Sequence, residues 1–232
     1  MAEIRRGRWH RLWTNGLMVL IALAFGLVGA PRAGAAVDSV IFAGTSNQVI
    51  TVFAPTPEAT VAELTAWERG ADGVWHAVAG PVVAQVGAEG IGAASEFSVR
   101  TPAGVFPLTG AFGRLPDPGT AMPYFRTDVQ DWWDSNPASP GYNTHVRQSV
   151  SPGAASENLY AAGAAYDYAA VIGYNSARTP GAGSAIFLHV TDGAPTAGCV
   201  AIDRDSLASI LGRLDPARHP LIAIGVGEAP RP

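Results

Sequence analysis

Glycine and proline punctuate this chain so often that long helices and long unbroken strands have little room. Of 232 residues, 27 are Gly and 18 are Pro. Glycine loses the most backbone freedom inside a regular element, and proline lacks an N–H, so both collect at turns. No collagen period or other repeat accompanies them. Hydrophobic residues make up 48% of the chain and charged residues 15%. That is enough apolar surface for a core, and it excludes a disordered polyelectrolyte. The reading is a mainly β domain of short strands with one or two short helices.

Residues 1–35 read as a secretory signal. Arg5, Arg6, Arg8 and Arg11 give a basic start, an apolar run follows from Gly16 to Ala30, and small residues close the segment at Ala33 and Ala35. The apolar run is short for a bilayer span of ~20 residues, so cleavage is expected over retention as an anchor. The expected location is the cell envelope or the exterior, with residues 36–232 as a single domain. All 15 basic residues are Arg, and cleavage after Ala35 leaves 10 of them against 18 acidic residues, a net charge of −8. An acidic exported chain is a poor nucleic-acid binder, so no nucleic-acid partner is expected. The single Cys excludes an intramolecular disulfide framework and a Cys-based zinc cluster.

Strands are expected at Val49–Phe53, at Thr60–Trp67 and Val74–Val78 as a hairpin, and at Pro81–Val86, Glu96–Arg100, Val105–Phe112, Tyr168–Tyr174, Ser184–Val190 and Leu221–Val226. Two helices are expected. One covers Ala154–Ala162. The other covers Ser206–Leu214, with Asp203 or Asp205 as N-cap and Leu207, Ile210, Leu211 and Leu214 on one face. Residues 113–145 are irregular and carry Trp132 and Trp133, the pattern of a functional loop or lid.

Chemistry concentrates around Cys199. Ser184–Val190 reads as a buried strand that carries His189 near its end, and Thr196-Ala197-Gly198-Cys199 follows as a turn of small residues that puts Cys199 ten positions after His189. A thiol nucleophile needs a base, an open approach and donors for an oxyanion. His189 supplies a base if the two segments are neighbours. Gly198 leaves space beside the sulfur, and the backbone N–H groups of Gly198 and Cys199 are the expected oxyanion donors. Thr196 offers a hydroxyl to orient substrate or the imidazole. Against this stands the plain alternative that a lone Cys fills space in a core and a lone His is a satisfied polar group. Residue types leave both open.

The stretch Gly183–His189 through Thr196–Ile202, with Thr101-Pro102-Ala103-Gly104 upstream, resembles the L,D-transpeptidase catalytic-domain family of the YkuD type, in a divergent branch. The resemblance covers roughly Ser98 to Val226. It implies an L,D-transpeptidase-like β-sandwich or barrel, with no metal and no organic cofactor. It implies Cys199 as nucleophile and His189 as general base, acting on peptidoglycan stem peptides. A thioester on Cys199 would form with loss of D-Ala, then an amine would resolve it to a cross-link. With water instead, the activity is that of an L,D-carboxypeptidase. Acylation of Cys199 by a carbapenem is a further implication. Two family features are absent: Ala197 stands where many members have His, and Ala201 where many have Arg or Asn. A non-catalytic cell-envelope binding domain of the same fold is therefore the competing reading.

Other candidates are Tyr174 and Asn175 as polar groups projecting toward substrate, Glu157 as an amine-binding or merely solvated carboxylate, and Trp132 and Trp133 as walls of a glycan groove. Asp192 is read as turn chemistry, and His145 reaches the site only if its loop folds over. Arg147, Arg178 and Arg204 are the candidates to replace the missing Arg.

Overall fold

The hairpin read between residues 60 and 78 lies at the centre of the main sheet. The computed structural model describes residues 41–153 and 155–232. The secretory-signal reading falls outside that range. Strands β1 (Gln48–Ala54), β2 (Val61–Arg69) and β3 (Trp75–Gln85) run antiparallel to their successors. β3 absorbs the segment expected as a separate strand at Pro81–Val86. Short strands β4 (Ile91–Gly92) and β5 (Thr101–Pro102) form a small parallel pair of their own. Residues Glu96–Arg100, expected as a strand, are turn and irregular backbone.

Next come β6 (Gly104–Gly113), β7 (Tyr124–Arg126), β8 (Asp131–Asp134), β9 (Thr144–Arg147), β10 (Glu157–Asn158), β11 (Ala169–Ile172), β12 (Phe187–Val190), β13 (Val200–Ile202) and β14 (Leu221–Val226). The main sheet runs β11-β12-β13-β3-β2-β1-β14-β6-β7. It closes into a barrel because β6 also pairs with β11: its first half holds β14 and its second half holds β11. The expectation of a mainly β, barrel-like fold is met at that level.

Helix α1 (Arg204–Leu211) starts where Asp203 accepts a hydrogen bond from the Ser206 N–H, as an N-cap should. Leu207, Ile210 and Leu211 are buried on one face, as their spacing requires, and Leu214 is buried beyond the helix end. The helix expected at Ala154–Ala162 is absent: the described part of that stretch holds the two-residue strand β10 and turns, followed by a 3₁₀ turn at Gly163–Tyr166. Glu157 and Asn158 pair instead with Trp133 and Trp132 of β8.

Three apolar clusters divide the described interior, the smallest by member count formed by Ile41, Phe42, Val49, Phe53 and Ala223, and the other two bear on the site. The larger fills the barrel with Val52, Leu64, Val86, Leu188, Val200, Ile202 and Ile222 among its members. The smaller holds Phe112, Trp133, Leu159, Tyr166, Phe187 and Cys199. A separate three-stranded sheet, β10-β8-β9, contributes Trp133 to that second cluster, and Leu159 follows directly after β10. Most of residues 131–158, read partly as loop, is thus a folded cover over the outer face of β12.

Candidate active site around Cys199

Strands β12 and β13 run parallel, with Leu188 opposite Val200 and His189 opposite Ala201. Cys199 therefore stands just before β13, level with Phe187. Side chains two apart on a strand share a face, so Phe187 and His189 point the same way. Cys199 packs in one cluster with Phe187, and the Tyr166 ring lies edge-on to both Phe187 and His189, at 5.7 and 5.5 Å between centroids. The expected pair thus lies on neighbouring strands and on one side of the sheet. No hydrogen bond joins imidazole and thiol among the described residues.

His189 Nδ1 lies 2.9 Å from the Val190 carbonyl oxygen. A carbonyl only accepts, so Nδ1 carries the proton and Nε2 keeps its lone pair. Burial holds the imidazole pKa below its ordinary value, against smaller opposing effects of that carbonyl and of Asp192. The ring is neutral at neutral pH and is competent as a base. Asp192 accepts the Ala194 N–H and shapes its own turn, as read from the sequence.

The thiol is closed in. Cys199 is 9% exposed. Its Sγ donates to the Ala185 carbonyl and accepts the Phe187 N–H, both at 3.3 Å. Burial pushes its pKa up to about 12, the Glu157 carboxylate adds to that, and the Phe187 N–H opposes it. The resting pair is a neutral thiol beside a neutral imidazole rather than an ion pair.

The Cys199 peptide is held from two sides. Thr196 Oγ1 donates to the Cys199 carbonyl at 2.7 Å and accepts the Gly198 N–H at 3.1 Å. Buried Thr101 donates to the same carbonyl at 3.0 Å and accepts the Gly87 N–H at 2.8 Å. This corrects two expectations. The Thr196 hydroxyl builds the turn instead of facing substrate, and the Gly198 N–H is already occupied. Gly198 also has a more direct requirement than space beside the sulfur: its φ is +132°, and a Cβ would sit 3.2 Å from the Arg100 carbonyl oxygen. Sequence reading missed Thr101 in this role; its only sign is the Thr-Pro-Ala-Gly stretch.

Tyr174 and Asn175 also act on backbone. The Tyr174 hydroxyl donates to the Ala182 carbonyl at 2.6 Å, and its ring meets Phe106 edge-on. Asn175 donates to the Thr179 and Gly183 carbonyls and accepts the Thr179 N–H. Both residues fix the loop that leads into β12, and neither projects a free polar group into the site. Asn143 completes this bracing. Its oxygen accepts from Trp133 Nε1 and the Ala185 N–H, and its nitrogen donates to the Tyr174 and Asn175 carbonyls.

Glu157 is the residue that sequence reading placed least well. It sits on β10 opposite Trp133 and accepts a hydrogen bond from the Tyr166 hydroxyl. Burial raises its pKa, against the pull of that hydrogen bond. Nothing in its residue type or spacing separated it from surface. Trp132, by contrast, donates to the Gln148 carbonyl, while Trp133 stands edge-on to Phe187 at 4.9 Å.

Trp133 is also one wall of a groove of about 410 Å³, lined further by Tyr124, Phe125, Asn143, His145 and Val171. His145 stacks on Phe125 and is held at 2.8 Å by fully buried Asp131, which also accepts Arg147. Of the three arginines considered as replacements, Arg147 is bound to Asp128 and Asp131, Arg204 lies near Asp167, and Arg178 meets the Pro140 carbonyl. Among the described residues no group of His, Cys, Asp and Glu is arranged to hold a metal ion. Comparison with known protein families, curated proteins and solved structures gives no match.

Proposed function

We propose that this chain is an exported cysteine acyltransferase acting on peptidoglycan stem peptides by the L,D-transpeptidase route. The observation that carries the reading is the register of β12 on β13, with His189 Nδ1 committed to the Val190 carbonyl. That leaves Nε2 as a proton acceptor on the face that holds Cys199.

In this mechanism Sγ–H passes its proton to Nε2 as sulfur attacks the carbonyl of the bond to the terminal D-Ala. With the Gly198 N–H bound to Thr196, the Cys199 N–H is the donor assigned to the oxyanion. The C–N bond then breaks, His189 protonates the leaving D-Ala amine, and a thioester remains on Cys199. An amine of a second stem resolves it to a cross-link; water gives a carboxypeptidase product. Trp133 and Leu159 share the cluster that closes around Cys199, so the acyl donor has to reach the sulfur past them. No cofactor is needed, and a carbapenem that reaches the thiol acylates it.

One observation favours a second reading, a non-catalytic cell-envelope binding domain. The sulfur is already engaged by the Ala185 carbonyl and the Phe187 N–H, and burial opposes its ionisation. Incubation with disaccharide-tetrapeptide, read by mass spectrometry, separates the two. A dimer or tripeptide that disappears in Cys199→Ala and His189→Ala supports the enzyme. Stem-peptide binding without turnover in the unaltered protein supports the binding domain.

A further inference from the structure

The second half of the proposed reaction needs something the Cys199–His189 pair lacks. An acceptor amine arrives as an ammonium, with no lone pair to attack a thioester. It must meet a negative charge beside Cys199 and lose a proton there.

Glu157 meets those conditions. It is half-buried, so one side stays open. No cationic side chain pairs with it among the described residues. Its hydrogen-bond partner there is a neutral phenol, Tyr166. The Tyr166 ring stands against His189, and Tyr166 and Cys199 share one cluster. Glu157 is also close enough to Cys199 for its carboxylate to oppose the thiolate. The groups around it are Tyr166 from the 3₁₀ turn, Cys199 from the approach to β13, His189 beyond Tyr166 on β12, and Asp131 and Asp134 on the paired strand β8. Asp131 is paired with Arg147 and lies 2.8 Å from His145 Nε2, and Asp134 accepts from Ser139 and Asn136. Glu157 and Asp134 both lack a cation among the described residues, and of the two it is Glu157 that binds Tyr166 of the Cys199 cluster. A carboxylate in that state costs free energy through desolvation, and a bound ammonium offsets it.

We propose that Glu157 is the amine-recognising residue of the acyl-transfer site: it pairs with the ammonium of the acceptor stem and takes one of its protons. The assignment rests on the acyltransferase reading above. The step balances as follows. R–NH₃⁺ and Glu157–COO⁻ become R–NH₂ and Glu157–COOH. The nitrogen attacks the thioester carbon, the C–S bond breaks, and a second proton leaves nitrogen through His189 to the departing sulfur. The products are an amide and the Cys199 thiol, and Glu157 returns its proton to solvent. The burial that raises the Glu157 pKa strengthens it as that acceptor.

The test uses the whole chain with disaccharide-tetrapeptide as donor and acceptor. Glu157→Gln keeps an acceptor for the Tyr166 hydroxyl and removes the charge. The expected result is an acyl adduct on Cys199 by intact mass that forms no more slowly than in the unaltered protein, since the lost charge had opposed the thiolate, with the dimer-to-tripeptide ratio down about a hundredfold. Hydroxylamine, uncharged at neutral pH, should resolve the adduct equally well in both proteins. Tyr166→Phe leaves the carboxylate in place and should keep the dimer; it also serves if Glu157→Gln does not fold. An unchanged dimer ratio in Glu157→Gln overturns the assignment, as does equal loss of adduct, dimer and hydroxylamine product in a folded variant. Dimer loss in Tyr166→Phe overturns it too. Absence of any adduct in the unaltered protein removes the acyltransferase reading itself, and the assignment with it.

Discussion

The charge state of Cys199 is the most exposed point of the reasoning. Raising its pKa from an ordinary 9.0 to about 12 lowers the thiolate fraction at neutral pH about a thousandfold. Alkylation proceeds through the thiolate, so iodoacetamide should label the native protein about a hundredfold or more slower than the urea-unfolded chain at ~pH 7, once the greater nucleophilicity of a higher-pKa thiolate is allowed for, with the ratio narrowing as pH passes ~9. Closure by Trp133 and Leu159 adds to the protection. The same difference has a stability signature. The folded state holds this proton more tightly than the unfolded state. The contribution is therefore complete below about pH 9 and is lost as pH rises toward about 12, at no more than about 1.4 kcal/mol per pH unit. Cys199→Ser does not titrate in that window, so its alkaline unfolding curve should be flatter. Native labelling near pH 7 at the unfolded rate would refute the raised pKa and the closure of the thiol together.

Four further outcomes follow from named contacts. Thr101→Val removes a donor to the Cys199 carbonyl and the acceptor of the Gly87 N–H, and should cost about 1–3 kcal/mol in urea unfolding, with Thr101→Ser recovering most of it. Asn143→Ala breaks the four hydrogen bonds that tie Trp133 to the loop before β12, and should cost about 2–4 kcal/mol while speeding alkylation of Cys199 in the native state. Acylation should fall as pH drops through the His189 pKa, below the ordinary histidine value of 6.5, because protonation removes the Nε2 lone pair; a stopped-flow pH profile without that acid limb counts against His189 as base. Asp203→Ala deletes the N-cap of α1 and should lower stability by about 1 kcal/mol, read from the thermal midpoint, without changing the thiol.

Much of the barrel was legible because its strands alternate between a buried face and turns rich in glycine. Val49–Phe53, Val105–Phe112 and Leu221–Val226 fall almost residue for residue on β1, β6 and β14. Helix α1 was legible through Asp203 and the Leu207–Ile210–Leu211 stripe. The misread stretches share one cause: long-range partners outweighed local pattern. Glu157 and Asn158 look helical in isolation but pair with Trp133 and Trp132, 24 and 26 residues earlier. Ser184–Ile186 reads as strand, yet Ala185 takes a left-handed φ of +55° so that its carbonyl meets the Cys199 sulfur and its N–H meets Asn143. At the site, the pairing of His189 with Cys199 was readable as a possibility from order and spacing. The burial of the sulfur was not, because Trp133 and Leu159 arrive from a sheet that no local pattern announced.

The seam of the barrel has a consequence for how the chain matures. β14, residues 221–226, lies between β1 and β6 and pairs parallel with one and antiparallel with the other. Until those late residues arrive, β1 and the first half of β6 each present an unsatisfied edge. The strand that completes the barrel joins residues far apart in sequence, Leu221 to Val49 on one side and Ala223 to Val105 on the other, so no local hairpin can close it.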